Sequence, residues 1–156
     1  MKYAVVACFV CSIAAATGSA ANAAEQFYIG TWKVSGAVTA PWADAERKPD
    51  KAELARLVGK TVTFKAKEIA GPLPFPCKPS HYKEVDYATD MIFQGAFDDM
   101  RSKDKSVDPD KIAASLGFVG KSIKTLETGC EIDFHFVDAA TAEIGLNNYV
   151  YTLKKQ

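Results

Sequence analysis

The stretch from Gly129 to Val137, Gly-Cys-Glu-Ile-Asp-Phe-His-Phe-Val, constrains the fold more than any other. Cys130, Ile132, Phe134 and Phe136 fall on one side of an extended chain, and Glu131, Asp133 and His135 on the other. Successive side chains leave a strand on opposite sides, so this alternation predicts a strand with one buried face. The opposite face, acidic with one imidazole, reads as solvated. Cys130 also makes the strand an anchor for a crosslink, and the rest of the chain is expected to pair with it or pack on it.

The N-terminus reads as a leader. Met1-Lys2 supplies a positive start, Tyr3 to Ala16 is almost wholly apolar, and Ala21-Asn22-Ala23 carries the small-x-small pattern of a cleavage site. The expected division is a signal peptide over residues 1–23 and a single β-rich domain over 24–156. The apolar run is too short to span a bilayer, so no membrane span is expected after cleavage, and the destination is periplasmic or secreted. Nineteen basic residues balance nineteen acidic ones. That balance leaves no electrostatic footprint for nucleic acid. Cys8 and Cys11 leave with the leader, and in an exported chain the remaining pair, Cys77 and Cys130, is expected to form a disulfide. Closing so long a loop is worth about 4 kcal/mol in the chain-entropy account. The pair Cys77 and Cys130 has no CxxC spacing to suggest a metal instead.

Taken in order, Phe27 to Ala40 reads as a first strand with Trp32, Val34, Gly36 and Val38 on one face, ended by Pro41. Asp50 caps a short helix that Gly59 terminates, with Glu53 in the capping-box position. Lys60 to Ile69 reads as one strand with Val62 and Phe64 inward. Gly71 to Ser80 holds four of the seven prolines and reads as an extended loop pinned by Cys77. His81 to Tyr87 is a further strand. Asp90 to Phe97 is apolar without clean periodicity, and the charged stretch Asp98 to Asp110 reads as surface loop. A second helix starts at Asp108-Pro109 and stops at Gly117. Lys121 to Leu126 is a strand, and Asn147-Asn148 is the turn of a terminal hairpin.

Few of these residues point to catalysis. Gly59-Lys60-Thr61 and Gly120-Lys121-Ser122 lack the glycine five residues earlier that a phosphate loop needs, the places being taken by Leu54 and Ser115. His81, Asp133 and His135 are the residues from which a metal-dependent enzyme would have to be built, and zinc wants more ligands than two histidines supply. No Gly-x-Ser-x-Gly elbow occurs. No catalytic residue, metal or cofactor is expected. Trp32, Phe64, Phe134, Phe136, Tyr149 and Tyr151 sit at strand spacing and read as core. Trp42, Phe75, Ile92, Phe93 and Phe97 fall in loops, where apolar side chains either tuck over a core or form a binding patch.

Gly30-Thr31-Trp32-Lys33-Val34 resembles the opening strand of the calycins, the lipocalins and fatty-acid-binding proteins. The resemblance implies an antiparallel barrel with Trp32 plugging one end. The arginine that lipocalins stack on this tryptophan has no clear counterpart, Lys154 or Lys155 being a poor substitute.

The resulting expectation is a mainly β fold, an antiparallel barrel or strongly curved sheet of about seven or eight strands with two short helices and one disulfide. The leading function is a monomeric, non-enzymatic binding protein for a small apolar ligand, with Trp32, Trp42, Phe75, Phe93 and Phe97 as ligand-binding residues. The alternative is a protein-binding module, such as a hydrolase or lysozyme inhibitor, acting through loops 71–80 and 90–97. Mass spectrometry of the exported protein under denaturing conditions is expected to show loss of residues 1–23 and a mass two hydrogens below that of the dithiol.

Overall fold

The structure, a computed structural model, describes residues 26–44, 46 and 48–156. The leader read over residues 1–23 lies outside them. Eight strands and three helices follow one another as β1 (Gly30–Thr39), α1 (Lys51–Leu57), β2 (Thr61–Lys65), β3 (Glu68–Ala70), β4 (Lys83–Ala88), α2 (Ile92–Lys103), α3 (Pro109–Ser115), β5 (Ser122–Glu127), β6 (Phe134–Asp138), β7 (Thr141–Leu146) and β8 (Tyr149–Lys155). The strands form one antiparallel sheet in the order β3-β2-β1-β8-β7-β6-β5-β4, curled into a half-barrel. The expected fold class holds, and the disulfide Cys77–Cys130 is formed.

Curling leaves β3 and β4 as edges, and unpaired edges invite association. Here the proline-rich segment covers the gap. Cys77 and Ile69 exchange both backbone hydrogen bonds, at 2.9 and 3.0 Å. The Ser80 N–H donates to Lys67 O, the Tyr82 hydroxyl to Glu68 O and the His81 N–H to Thr128 O. The disulfide then carries the tie from Cys77 on the β3 side to the β5–β6 connection. Polyproline geometry cannot extend a sheet, but one residue of it can cap an edge.

Side chains fill the concave side. Trp32, Val34, Val62, Phe64, Leu126, Phe134, Ile144, Tyr151 and Leu153 are all buried there. On β1 the inward phase changes part-way. Val34 pairs with Leu153 and Gly36 with Thr152, so Ser35 is an extra residue whose hydroxyl donates to Thr152 O. This bulge turns Ala37 inward and leaves Val38 52 % exposed, where uninterrupted alternation predicts the reverse. The stretch read as a single strand over residues 60–69 is likewise two, β2 and β3, folded back at Ala66-Lys67.

A third helix is the main departure from expectation. α2 occupies the region read as an aperiodic apolar stretch followed by surface loop, and with α3 it covers the convex side of the sheet. Ile92, Phe93, Phe97, Ala113, Phe118, Ile123 and Val150 form a second core there. The pattern was illegible because α2 begins outside right-handed helical geometry, with Phe93, Gln94 and Gly95 all at positive φ (52°, 61° and 79°). Three left-handed residues shift every later side chain off the 3.6-residue register. The other helices follow their punctuation. Asp50 accepts from the Ala52 and Glu53 N–H groups, and Asp108 from Asp110 and Lys111. The other half of the capping box is replaced, since the Asp50 N–H donates to the Tyr149 hydroxyl.

Phe134 joins the concave core to the proline segment, its ring 4.8 Å from that of Phe64 and 6.1 Å from that of Phe75. Phe134→Ala is expected to destabilise the protein by about 3–5 kcal/mol in denaturant titration, whereas Val38→Ala should change it by under about 0.5 kcal/mol.

Candidate functional site

Trp32, expected at the base of a cavity, is fully buried among Phe64, Phe136 and Tyr28, and its indole N–H donates to Tyr28 O. Aromatic rings fill the space that a carrier of the lipocalin kind would leave open. Lys155 lies over the Trp32 ring at 5.9 Å and its ammonium donates to Phe27 O. The lysine thus takes the stacking position that the resemblance assigns to arginine, held there by a backbone carbonyl rather than by a planar fork. Phe75 is also buried, on the concave side.

Trp42, Phe93 and Phe97 meet on the convex side instead. Trp42 stands 5.4 Å from Phe93 and 6.1 Å from Phe97, ring to ring, and only Trp42 of the three is half-exposed. The five aromatics expected to contact ligand therefore divide between two faces of the sheet, and all but Trp42 give their surface to a core.

His135 organises the convex side. The face of β6 expected to be solvated is covered by α2, and His135 is 2 % exposed. The Phe93 N–H donates to Nε2 at 2.9 Å, so the ring proton sits on Nδ1, which donates to Thr125 Oγ1 at 2.8 Å. Burial holds this imidazole down to about 3, and it is neutral. Left-handed backbone costs about 1–2 kcal/mol per non-glycine residue. One hydrogen bond, worth about 1 kcal/mol net, does not offset that. Burial of Ile92, Phe93 and Phe97, at about 1.5–3 kcal/mol each, does. Directly across the ladder from His135 stands Glu143, 6 % exposed. Its Oε1 accepts from Thr152 at 3.4 Å, and its Oε2 meets no partner among the described residues. Burial pushes its carboxyl up to about 7, against the smaller opposing effects of Thr152 and Lys154.

An apolar cleft lies where β5 and β6 part. The two strands pair only at Thr125–His135 and Leu126–Phe134. The rungs that would follow, Lys124–Phe136, Ile123–Val137 and Ser122–Asp138, are missing, and a bulge between Phe136 and Asp138 turns β6 away. In their place is a cleft of about 310 Å³ lined by those six residues with Phe27, Val119 and Ala139. Its walls come from both cores, Phe136 and Phe27 from the concave one and Ile123 and Val137 from the convex one. Val119 stands 87 % exposed beside it. The charged groups at its rim are engaged elsewhere: Lys124 pairs with Glu84 at 3.6 Å and Asp138 accepts from the Ala140 N–H. Of these lining residues only Phe136 was singled out in the sequence, and it read as core rather than as a ligand contact. A missing rung is a relation between strands, and the cue the chain offers, Val119 before Gly120, is a single exposed apolar residue.

Among the described residues no group of three or more His, Cys, Asp or Glu side chains is placed to hold a metal ion. Asp133, which accepts from the Thr128 N–H, is half-buried, and His81 lies against Gly129 on the seam, so neither converges with His135 on a common point. Among the described residues no helix is long and apolar enough to cross a membrane. Comparison with known protein families, with curated proteins and with solved structures finds no match for this chain.

The two buried titrating groups act on stability in opposite directions. Glu143 holds its proton in the folded state up to about 7 while the unfolded chain releases it near 4.5, so stability falls as pH rises through that window. His135 stays neutral down to about 3 while the unfolded chain protonates near 6.5, so stability falls as pH drops through that second window. Thermal melts are expected to show Glu143→Gln gaining on the wild type from pH 4.5 to 7.5, a difference that vanishes at pH 4.

Proposed function

We propose that this is a non-enzymatic, exported binding protein, periplasmic or secreted, whose small apolar ligand enters the slot between β5 and β6 rather than the barrel interior. The observation that carries the reading is the loss of three consecutive rungs at the place where both cores reach the surface. A ladder of antiparallel hydrogen bonds does not stop without a cause, since the freed backbone groups must find water or a ligand. Here the gap is lined by Phe136, 6 % exposed, and by half-buried Phe27. Its volume is at the lower end of the range for small-molecule pockets, and its polar rim is already paired. A calycin-like barrel closed at one end by Trp32 under Lys155 is the fold assignment that accompanies this reading. Filling of the interior by aromatic rings moves the ligand outward, to a place reached from the side.

One observation favours a protein partner instead. On the proline segment Leu73 is 73 % exposed, beside a cleft of about 190 Å³ that it lines with Pro74, Leu57, Leu146 and Tyr151. Tied by Cys77 at one end and by buried Phe75 in the middle, that segment is a rigid apolar surface of the kind an inhibitor offers. Loop 90–97 contributes little to such a surface, because Ile92, Phe93 and Phe97 are buried.

Isothermal titration with 1-octanol tests the first reading. Saturable one-to-one binding is expected, weakened about tenfold or more by Val137→Trp, which fills the slot from a half-buried position. Equal binding by both proteins, or none by either, removes the slot as the site. Leu73→Asp leaves the slot intact and should abolish capture of a protein partner if the second reading holds.

A further inference from the structure

A second cleft, on the convex side and independent of the slot, has a different chemistry. Trp42, Phe93, Gln94, Asp99, Gly145 and Asn147 surround about 260 Å³. Among the described residues, the non-glycine positions with left-handed backbone are Phe93, Gln94 and Asn147, and all three line this cleft. Such conformations persist only where the surroundings impose them, and they gather at ligand clamps and active sites. The Trp42 indole is fixed as well. Its N–H donates to Asn147 O at 2.9 Å, and its ring lies so close over Gly145 that a Cβ there would come within 2.9 Å of it. The result is a half-exposed aromatic wall that does not have to be ordered when a ligand arrives.

The polar side chains around that wall are two amides and one carboxylate. Both side-chain amides already donate, Gln94 Nε2 to Glu131 O at 3.2 Å and Asn147 Nδ2 to Glu53 Oε1 at 2.8 Å. Their oxygens, Gln94 Oε1 and Asn147 Oδ1, accept no hydrogen bond from a described residue, and neither does the Asp99 carboxylate. Each amide keeps a second N–H, so hydrogen bonding by itself does not select the ligand. The one charged side chain lining the cleft is Asp99, and its carboxylate disfavours an anion and favours a cation over a neutral ligand. A cation carrying several N–H groups matches acceptors with donors and gains further attraction over the tryptophan face.

We propose that this cleft binds a small organic cation, a primary ammonium or guanidinium on a short alkyl chain, seated over Trp42 with its N–H groups directed to Gln94, Asn147 and Asp99. The same chemistry is presented by a free amine and by a lysine or arginine side chain of another protein.

Titration of the full exported protein at low ionic strength with butylammonium and butylguanidinium chlorides tests the proposal, with 1-butanol and sodium butyrate as neutral and anionic counterparts. Both cations are expected to bind one-to-one and to change the fluorescence of Trp42, since Trp32 is fully buried. Asp99→Asn, at an exposed position, should weaken them about tenfold, and Trp42→Phe less than Trp42→Ala. Because Trp42 also packs on Phe93, the Asp99 variant decides the matter if Trp42→Ala fails to fold. Tighter binding of N-acetyl-lysine amide than of butylammonium identifies a side chain of a protein as the source, and the reverse identifies a free amine. Absence of saturable binding by the cations overturns the proposal. So does equal binding of butanol or butyrate, or indifference of the cations to Asp99→Asn. None of these outcomes bears on octanol binding in the slot.

Discussion

Closure of the curled sheet rests on the joint between Ile69 and Cys77. Eight antiparallel strands leave two edges, and this pair of backbone hydrogen bonds covers one of them while the Cys77–Cys130 disulfide fastens the same point to the far side. Without it the proline segment would be held only at its Ser80–Tyr82 end and by the burial of Phe75, and the seam of the concave core would lose its strongest tie. The chain-entropy value of a crosslink spanning 53 residues, about 4 kcal/mol, is a large share of a small domain's net stability. The joint therefore does more than add to stability. It decides that the concave side is an interior.

Once the sheet is closed on that side, its convex side must be covered too, because Ile123, Val150 and His135 point outward. α2 and α3 supply the cover. The first turn of α2 lies in an unfavourable backbone region, and what holds it there is the apolar surface it buries, with the neutral His135 ring receiving the Phe93 N–H. That histidine is structural. Its two nitrogens are engaged, it is buried, and burial keeps it uncharged, so its role is to join cover and sheet.

Slot and cleft are both consequences of how these layers meet. β5 parts from β6 after two rungs, with Ile123 joining the core that α3 also enters, and the departure opens the slot at the border between the two cores. The second cleft forms where the strained turn of α2 crosses the β7–β8 hairpin, and Gly145 is the position that lets Trp42 lie against the sheet. The slot's inner walls are apolar; the cleft pairs an aromatic wall with acceptors. Two surface features of different chemistry follow from one arrangement of layers.

Local rules determined much of this protein. The alternation in β2, the inward phase of Phe134 and Phe136, the caps at Asp50 and Asp108, the Asn147-Asn148 turn and the pairing of Cys77 with Cys130 all depend on neighbouring residues or on cysteine arithmetic, and each was legible in the chain. The strand read over Gly129–Val137, however, begins only at Phe134, and Cys130 lies exposed in the connection before it. What tertiary structure decided is of another kind. The bulge at Ser35 reverses Ala37 and Val38 because β8 sets the register, and nothing local marks it. α2 was hidden because its left-handed start breaks the helical period, and such a start exists only when a partner surface stabilises it. His135 reads as exposed on its own strand and is buried because a helix from elsewhere in the chain lies over it. The slot is three missing hydrogen-bonded rungs between two strands, a property of neither strand alone. Periodicity records which way a side chain points; what it meets there is set by elements distant in sequence.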